Sequence, residues 1–396
     1  MNFDFSEEQT MLRDSVARFV QDDYDFYTRR DIVASEAGMS HENWKTFAEL
    51  GWLSVPFDEE HGGFGGGPVD LMVMMEEFGK GLVVEPYFPT VVLFGGLLRA
   101  AGSDSQKSTC IPGIIDGSIL GAFAYLERQS RYEIADIRTR AVADGDAYVL
   151  NGEKVLVSNG ANANTFIVAA RTAGEQSDEQ GISLFIVPAD AAGIERVTYR
   201  LMDGQHVANI TFTDVRVGSD ALLGDAGEGY AVMERVIMEA TVALAGEALG
   251  LMGQLNAKTL EYTRTREQFG VPIGSFQALQ HRMVDTFMSY EQAKSMLYRA
   301  VCALDNNDDD LRREIHALKV MISRCGKHIF EEAIQLHGGM GITDELDIAH
   351  YAKRLMMINA TFGDGDYHQA RFNALSYGDR KVAAGSAGVA SMSDAA

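Results

Sequence analysis

The sequence predicts an α+β chain in which a helical region, a β-rich region and a second helical region follow one another. Three observations carry this. Apolar residues recur at three- and four-residue spacing up to about residue 117, give way between 119 and 217 to short segments rich in β-branched and aromatic residues, and return to helical spacing near Gly229. The boundaries read as 1–117, 118–226 and 227–380, followed by a small, polar tail over 381–396.

In the first region, Met11, Leu12, Val16, Phe19 and Val20 share one helical face, and Ser6 stands where an N-cap is needed. His41 to Leu50 repeats the pattern with Trp44, Phe47 and Ala48. The glycines of Gly62–Gly67 break it, and Pro68 suits the first position of the next helix. In the middle region, 119–125, 147–151, 164–170, 182–188 and 207–217 read as strands separated by Gly, Asp and Asn turns. Helices then follow over Met233–Arg264, Phe276–Leu304 and Asp310–Leu336, with a shorter one over Tyr367–Tyr377.

Composition narrows the function classes. With 57 acidic and 34 basic residues among 396, the net charge of −23 lacks the basic excess that phosphate neutralisation requires, which argues against nucleic acid as a partner. Cys110, Cys302 and Cys325 lie far apart and suggest neither disulfides nor a zinc site. The acidic N-terminus does not read as an export signal, and the apolar stretch Leu71–Gly102 is broken by charges and prolines, so a cytoplasmic protein without a membrane partner is expected. The 62–67 glycines lie outside a strand–helix junction and read as a loop, and no histidine pair has metal-ligand spacing.

Several motifs resemble the acyl-CoA dehydrogenase family. Arg264-Thr265-Arg266-Glu267-Gln268-Phe269-Gly270, followed by Phe276, Gln277 and Gln280, is similar to its RxQFG…FQ signature, and IQLHGGMGIT at 334–343 to its QxxGGxG segment. NGEKVLVSNG at 151–160 resembles its middle-domain hairpin, and FSEEQTMLRDSVARFV and ELGWLSVPFDEEHGGFG agree as well. The resemblance spans about residues 4 to 378. Within the family it points toward the pimeloyl-CoA dehydrogenase small subunit and the heteromeric enzymes of steroid side-chain breakdown.

The resemblance implies a fold with a barrel-like middle domain and a C-terminal four-helix bundle. It also implies FAD as cofactor, an acyl-CoA substrate, and an electron-transfer flavoprotein as electron acceptor. Arg266, Phe269 and Gln277 would reach FAD across a subunit interface, and Gln335, Gly338 and Gly339 would receive its adenylate end. A guanidinium grips pyrophosphate oxygens with several donors, and glycines let backbone approach a ligand. In the middle region a flavin-bonding hydroxyl of the family is replaced by Leu126, and an aromatic beside the flavin by Leu156, while Ser158 keeps a hydroxyl. These departures point to weaker flavin binding or to a pocket completed by a second chain, in an α2β2 heteromer or a homo-oligomer.

The base that removes the substrate's α-proton departs furthest. Counting from GGMGIT, Phe362 occupies the expected Glu position, and Asp364 and Asp366 read as turn or cap residues. The second family location, on the helix containing MERVIMEATVALAGEALG, falls near Ala240. Glu247 lies two turns further on in an apolar stretch, which makes it the first candidate for the base; Glu239 is the competitor, and a base absent from this chain is the third reading. A noncatalytic, cofactor-supporting subunit and a flavin oxidase are the alternative functions.

Overall fold

The computed structural model describes residues 5–378, so the tail expected over 381–396 lies outside the described residues. Helices α1 Glu7–Asp22, α2 Phe26–Ala34, α3 His41–Glu49, α4 Pro68–Gly81, α5 Gly95–Ala101 and α6 Asp104–Ile115 form the first region. Ser6 caps α1 in a reciprocal capping box with Gln9, and Pro68 opens α4. Between α4 and α5, Phe88–Phe94 winds as a π-helix, a wide turn that often marks a functional wall.

Eight strands follow: β1 Gly121–Ala124, β2 Arg140–Asp144, β3 Ala147–Ser158, β4 Thr165–Arg171, β5 Ile182–Pro188, β6 Ile194–Arg200, β7 His206–Gly218 and β8 Leu222–Leu223. They form one sheet in the order β6-β7-β3-β2-β4-β5-β8, with β1 parallel to β4. The segment expected to be a hairpin is instead the second half of the long strand β3, whose pairing with β7 shifts register between Lys154 and Val157. That bulge leaves Leu156 in the left-handed region at φ 54° and re-aims the strand end toward the neighbouring helices.

The C-terminal region contains α7 Gly229–Thr265, a short hairpin of β9 Glu267–Gln268 and β10 Val271–Pro272, α8 Gln277–Asp305, α9 Leu311–His337, α10 Ile348–Ala360 and α11 Gly365–Tyr377. Helix α7 is long and apolar enough to cross a membrane, yet 78% of its most apolar window is buried inside the protein, as befits a core helix. It crosses α4 so closely that a Cβ on Gly79 would lie 2.2 Å from the Glu247 carbonyl oxygen, and one on Gly250 would lie 2.0 Å from that of Glu76. Gly79 of α4 and Gly250 of α7 are therefore contact points between backbones, and the crossing has no room for a methyl group at either.

Candidate active site

A cavity of about 730 Å³ opens where the sheet meets the C-terminal helices. Six segments build its walls. The π-helix supplies Phe88, and β1 and the loop after it supply Phe123, Tyr125 and Leu126. The bulged end of β3 supplies Leu156 and Ser158. The far wall comes from α7 (Tyr230, Glu234, Met238), α9 (Arg312, His316) and the α10–α11 corner (Phe362, Tyr367, His368, Arg371). Phe362 sits at the corner with φ 60°, its ring 6.2 Å from Phe88 and 6.4 Å from Tyr125, which stacks on Phe123 at 4.9 Å. Two bulky residues held left-handed on one cavity, Leu156 and Phe362, each cost about 1–2 kcal/mol that surrounding packing must offset.

All but one of the carboxylates around this cavity are committed to charged or hydrogen-bonding partners. Glu127 accepts from Lys154 Nζ at 2.7 Å and from the backbone N–H groups of Thr139 and Arg138; burial alone would raise its carboxyl, but the Lys154 charge and these bonds hold it well below the usual range. Glu133 pairs with Arg371 at 2.7 Å, and Glu234 pairs with Arg312. Glu179 lies exposed near Tyr230. Asp364 caps α11 through the Tyr367 N–H and accepts from the Tyr132 hydroxyl, which keeps its carboxyl low despite burial.

Glu247 does not line this cavity, which corrects its assignment as the base. Both of its oxygens are locked by Arg354, Nε to Oε1 at 2.5 Å and Nη2 to Oε2 at 2.8 Å, while Arg354 Nη1 reaches Asp203 at 2.9 Å. Asp203 in turn receives Arg29 Nη2 on its backbone oxygen, so the cluster joins α2, α7, α10 and the β6–β7 turn. Burial would lower the Arg354 guanidinium, but Glu247 and Asp203 outweigh it and push it up. A buried carboxylate held bidentately by a guanidinium is stabilised as the anion and is a poor proton acceptor, and it lies outside this cavity. Glu239 pairs with Arg99 at 2.7 Å and Arg235 at 2.9 Å and is likewise occupied.

Leu126 and Ser158 line the cavity. The other six expected cofactor residues lie elsewhere. Arg266, Phe269 and Gln277 are exposed on and beside the β9–β10 hairpin, and Gln335, Gly338 and Gly339 are exposed at the end of α9. Both sets stand at one end of the bundle, where Tyr262 of α7 stacks on His337 of α9 at 4.3 Å. Phe269 is 93% exposed at φ 56°, and the Arg266, Gln277 and Gln335 side chains have no hydrogen-bond partner among the described residues. Side chains added at Gly338 or Gly339 would meet nothing within 4 Å. An unspent guanidinium, two unspent amides, an unpacked ring and bare glycine backbone form a donor set that fits a flavin dinucleotide's pyrophosphate and adenylate.

Family models cover most of the chain: the N-terminal domain of acyl-CoA dehydrogenase over 6–118, the middle domain over 122–215 and the C-terminal domain over 227–372. The chain belongs to the acyl-CoA dehydrogenase family. A curated relative, a probable acyl-CoA dehydrogenase named YngJ from Bacillus subtilis, is 32% identical over 353 residues, covering 88% of this chain and 92% of its own. The solved FAD complex of PigA superposes with a TM-score of 0.89 at 26% identity, covering 96% of this chain and 99% of that one. A steroid acyl-CoA dehydrogenase, Tcur3481-Tcur3483, superposes with a TM-score of 0.85 at 28% identity, covering 94% and 98%. The chain is thus an acyl-CoA dehydrogenase with FAD as its cofactor, and its middle sheet between two helical regions is that family's fold.

The cavity residues missing from the sequence reading are Phe88, Tyr230, Arg312, His316, His368 and Arg371. They come from four elements separated by up to hundreds of residues and share no motif. The strongest local signal is His368, six residues after Phe362.

Proposed function

We propose that this chain introduces an α,β double bond into an acyl-CoA thioester within an α2β2 heteromer, in which a second dehydrogenase-like chain completes the flavin sites and electrons leave to an electron-transfer flavoprotein. The observation that carries the assembly is the separation of two surfaces. Leu126 and Ser158 face the cavity, whereas Arg266, Phe269, Gln277, Gln335, Gly338 and Gly339 stand on an exposed face that does not line it. Residues so placed serve one cofactor together only when chains meet. Val284 and Phe287 on α8 and Ile342 beyond α9 are more than half exposed, apolar side chains that an adjoining chain would cover.

Bound FAD supplies the two-electron acceptor. Around it, the Ser158 hydroxyl offers a polar contact beside apolar Leu126 and Leu156. Phe88, Phe123, Tyr125 and Phe362 exclude water from the acyl end, and the Arg266 guanidinium balances pyrophosphate charge from the adjoining chain. Leu126, lacking the donor common in the family, is the feature that favours a heteromer over a homo-oligomer.

The test is purification of this chain alone and with its dehydrogenase-like partner, with mass from light scattering and flavin from visible absorbance. The expected result is substoichiometric flavin alone and one full flavin site, with activity, in the mixed assembly. A monomer of 43.3 kDa holding a full equivalent of FAD would contradict the shared site, a fully active homo-oligomer would replace the heteromer, and peroxide formation under air would replace the flavoprotein acceptor by oxygen.

A further inference from the structure

On the helical wall of the cavity, away from exposed Glu179 beside Tyr230, two imidazoles form a pair outside the carboxylate–guanidinium bridges. His316 on α9 and His368 on α11 meet through their Nδ1 atoms at 2.8 Å, and both line the cavity. His368 is 4% exposed, and its other nitrogen, Nε2, lies 3.1 Å from the Phe362 carbonyl oxygen.

The hydrogen-bond partners dictate the tautomers. A carbonyl oxygen only accepts, so His368 Nε2 carries the hydrogen and, in a neutral ring, its Nδ1 is bare. His316 Nδ1 must then donate to it. The remaining nitrogen of a neutral His316, Nε2, is therefore a bare lone pair, and among the described residues it has no hydrogen-bond partner.

Neutrality follows from the surroundings. Burial lowers both imidazoles, His316 to about 4 and His368 to about 3. The cations around them act in the same direction: Arg312 and Lys319 on α9 and Arg371 on α11. The facing acids are spent, Glu234 of α7 on Arg312, Glu133 on Arg371, and Asp364 at the α11 cap. Lys319 Nζ donates to the carbonyl oxygens of Ile358, Asn359, Thr361 and Gly363, which fixes the corner presenting Phe362 to His368.

We propose that His316 Nε2 is the base that removes the α-proton of the acyl thioester, and that His368 is a positioning residue that holds it in the required tautomer. The assignment rests on the dehydrogenation proposed above. In the step, the Cα–H bond breaks and its proton goes to the Nε2 lone pair, making His316 an imidazolium. The electron pair left on Cα becomes the second bond of Cα=Cβ, while the Cβ hydrogen leaves with its electron pair to oxidised FAD. His316 then returns its proton to water at the cavity mouth. Phe362 stands where a carboxylate would compete for this role, and its ring accepts no proton.

Two measurements on the FAD-loaded assembly test this. Neutron diffraction reads the tautomers directly: the expected map shows hydrogen on His316 Nδ1 and on His368 Nε2, with His316 Nε2 bare, and hydrogen on a neutral His316 Nε2 would overturn the assignment. Rapid mixing with butyryl-, octanoyl- and pimeloyl-CoA, following loss of flavin absorbance, reads the chemistry. His316→Gln should slow reduction by about 10²- to 10⁴-fold with flavin content unchanged. Adding Phe362→Glu to that variant should recover much of the loss by restoring a carboxylate base. In the wild type the rate should fall as pH drops through the His316 titration, and in the doubly substituted protein the limb should follow the introduced carboxylate instead. Unchanged reduction in His316→Gln overturns the base while leaving the dehydrogenase reading intact. A wild-type assembly that binds FAD but is reduced by none of the three thioesters overturns that reading and the base together.

Discussion

Two clusters of ionisable groups differ in one respect: the Glu247–Arg354–Asp203 cluster, which ties α7 and α10 to the β6–β7 turn, and the His316–His368 pair between α9 and α11. In the first, every Glu247 oxygen has a partner, and the network spans four elements. In the second, His316 lines the cavity and its Nε2 has no hydrogen-bond partner among the described residues. The comparison teaches that a charged residue in an apolar helix needs an explanation, but that explanation can be another charge. Reactivity requires a donor or acceptor site left unspent and pointed at open space.

The comparison breaks most readily at Arg354. Arg354→Ala would leave two buried carboxylates unpaired and should cost about 3–5 kcal/mol, read as a lower midpoint in urea unfolding. A loss within a few tenths of a kcal/mol would mean that the cluster is open to water. Behind the histidine pair, Lys319→Met removes the charged donor to four carbonyl oxygens and should cost about 1.5–3 kcal/mol. It should also slow flavin reduction, because the corner carrying Phe362 loosens; stability lost with the rate kept would separate the corner from the chemistry.

Gly250→Ala sharpens the structural side. The added methyl would press on the Glu76 carbonyl at the α4–α7 crossing, and the expected loss is about 1–3 kcal/mol, measured by thermal unfolding. A smaller and more gradual effect belongs to pH. The folded histidines bind protons less tightly than the unfolded chain, with His316 near 4 and His368 near 3 against an ordinary 6.5. The unfolded state therefore takes up protons first as pH falls, and their contribution to stability is lost progressively from about 6.5 to about 3. His368→Asn should flatten the slope of unfolding free energy against pH in that window, and an unchanged slope would place its titration elsewhere.

How much of this was legible in the sequence depends on whether local pattern or tertiary contact decides. The long helices were, because their apolar periods are unbroken: α8 and α9 begin and end within a residue of expectation, and Ser6 and Pro68 mark their helices as caps should. Strand β6 was hidden because Ile194 is its only residue that is not exposed, so no alternation marks it, and β2 shows only Ala141 buried. Helix α10 carries its apolar residues at helical spacing, and its place between two motifs conceals it. At the site, Phe362 and Leu126 were legible as departures from a known pattern. Glu247 was legible as an acid in an apolar helix, but its partner Arg354 lies 107 positions away, and no local rule connects them. His316 and His368 are 52 positions apart, and only the packing of α9 on α11 makes them a pair.

The most direct test sets Glu247→Gln beside His316→Gln in the same FAD-loaded assembly and measures the rate at which an accepted acyl-CoA bleaches the flavin. The expected result is near wild-type reduction in the first and a fall of about a hundredfold or more in the second. Reduction abolished in Glu247→Gln and preserved in His316→Gln would contradict it.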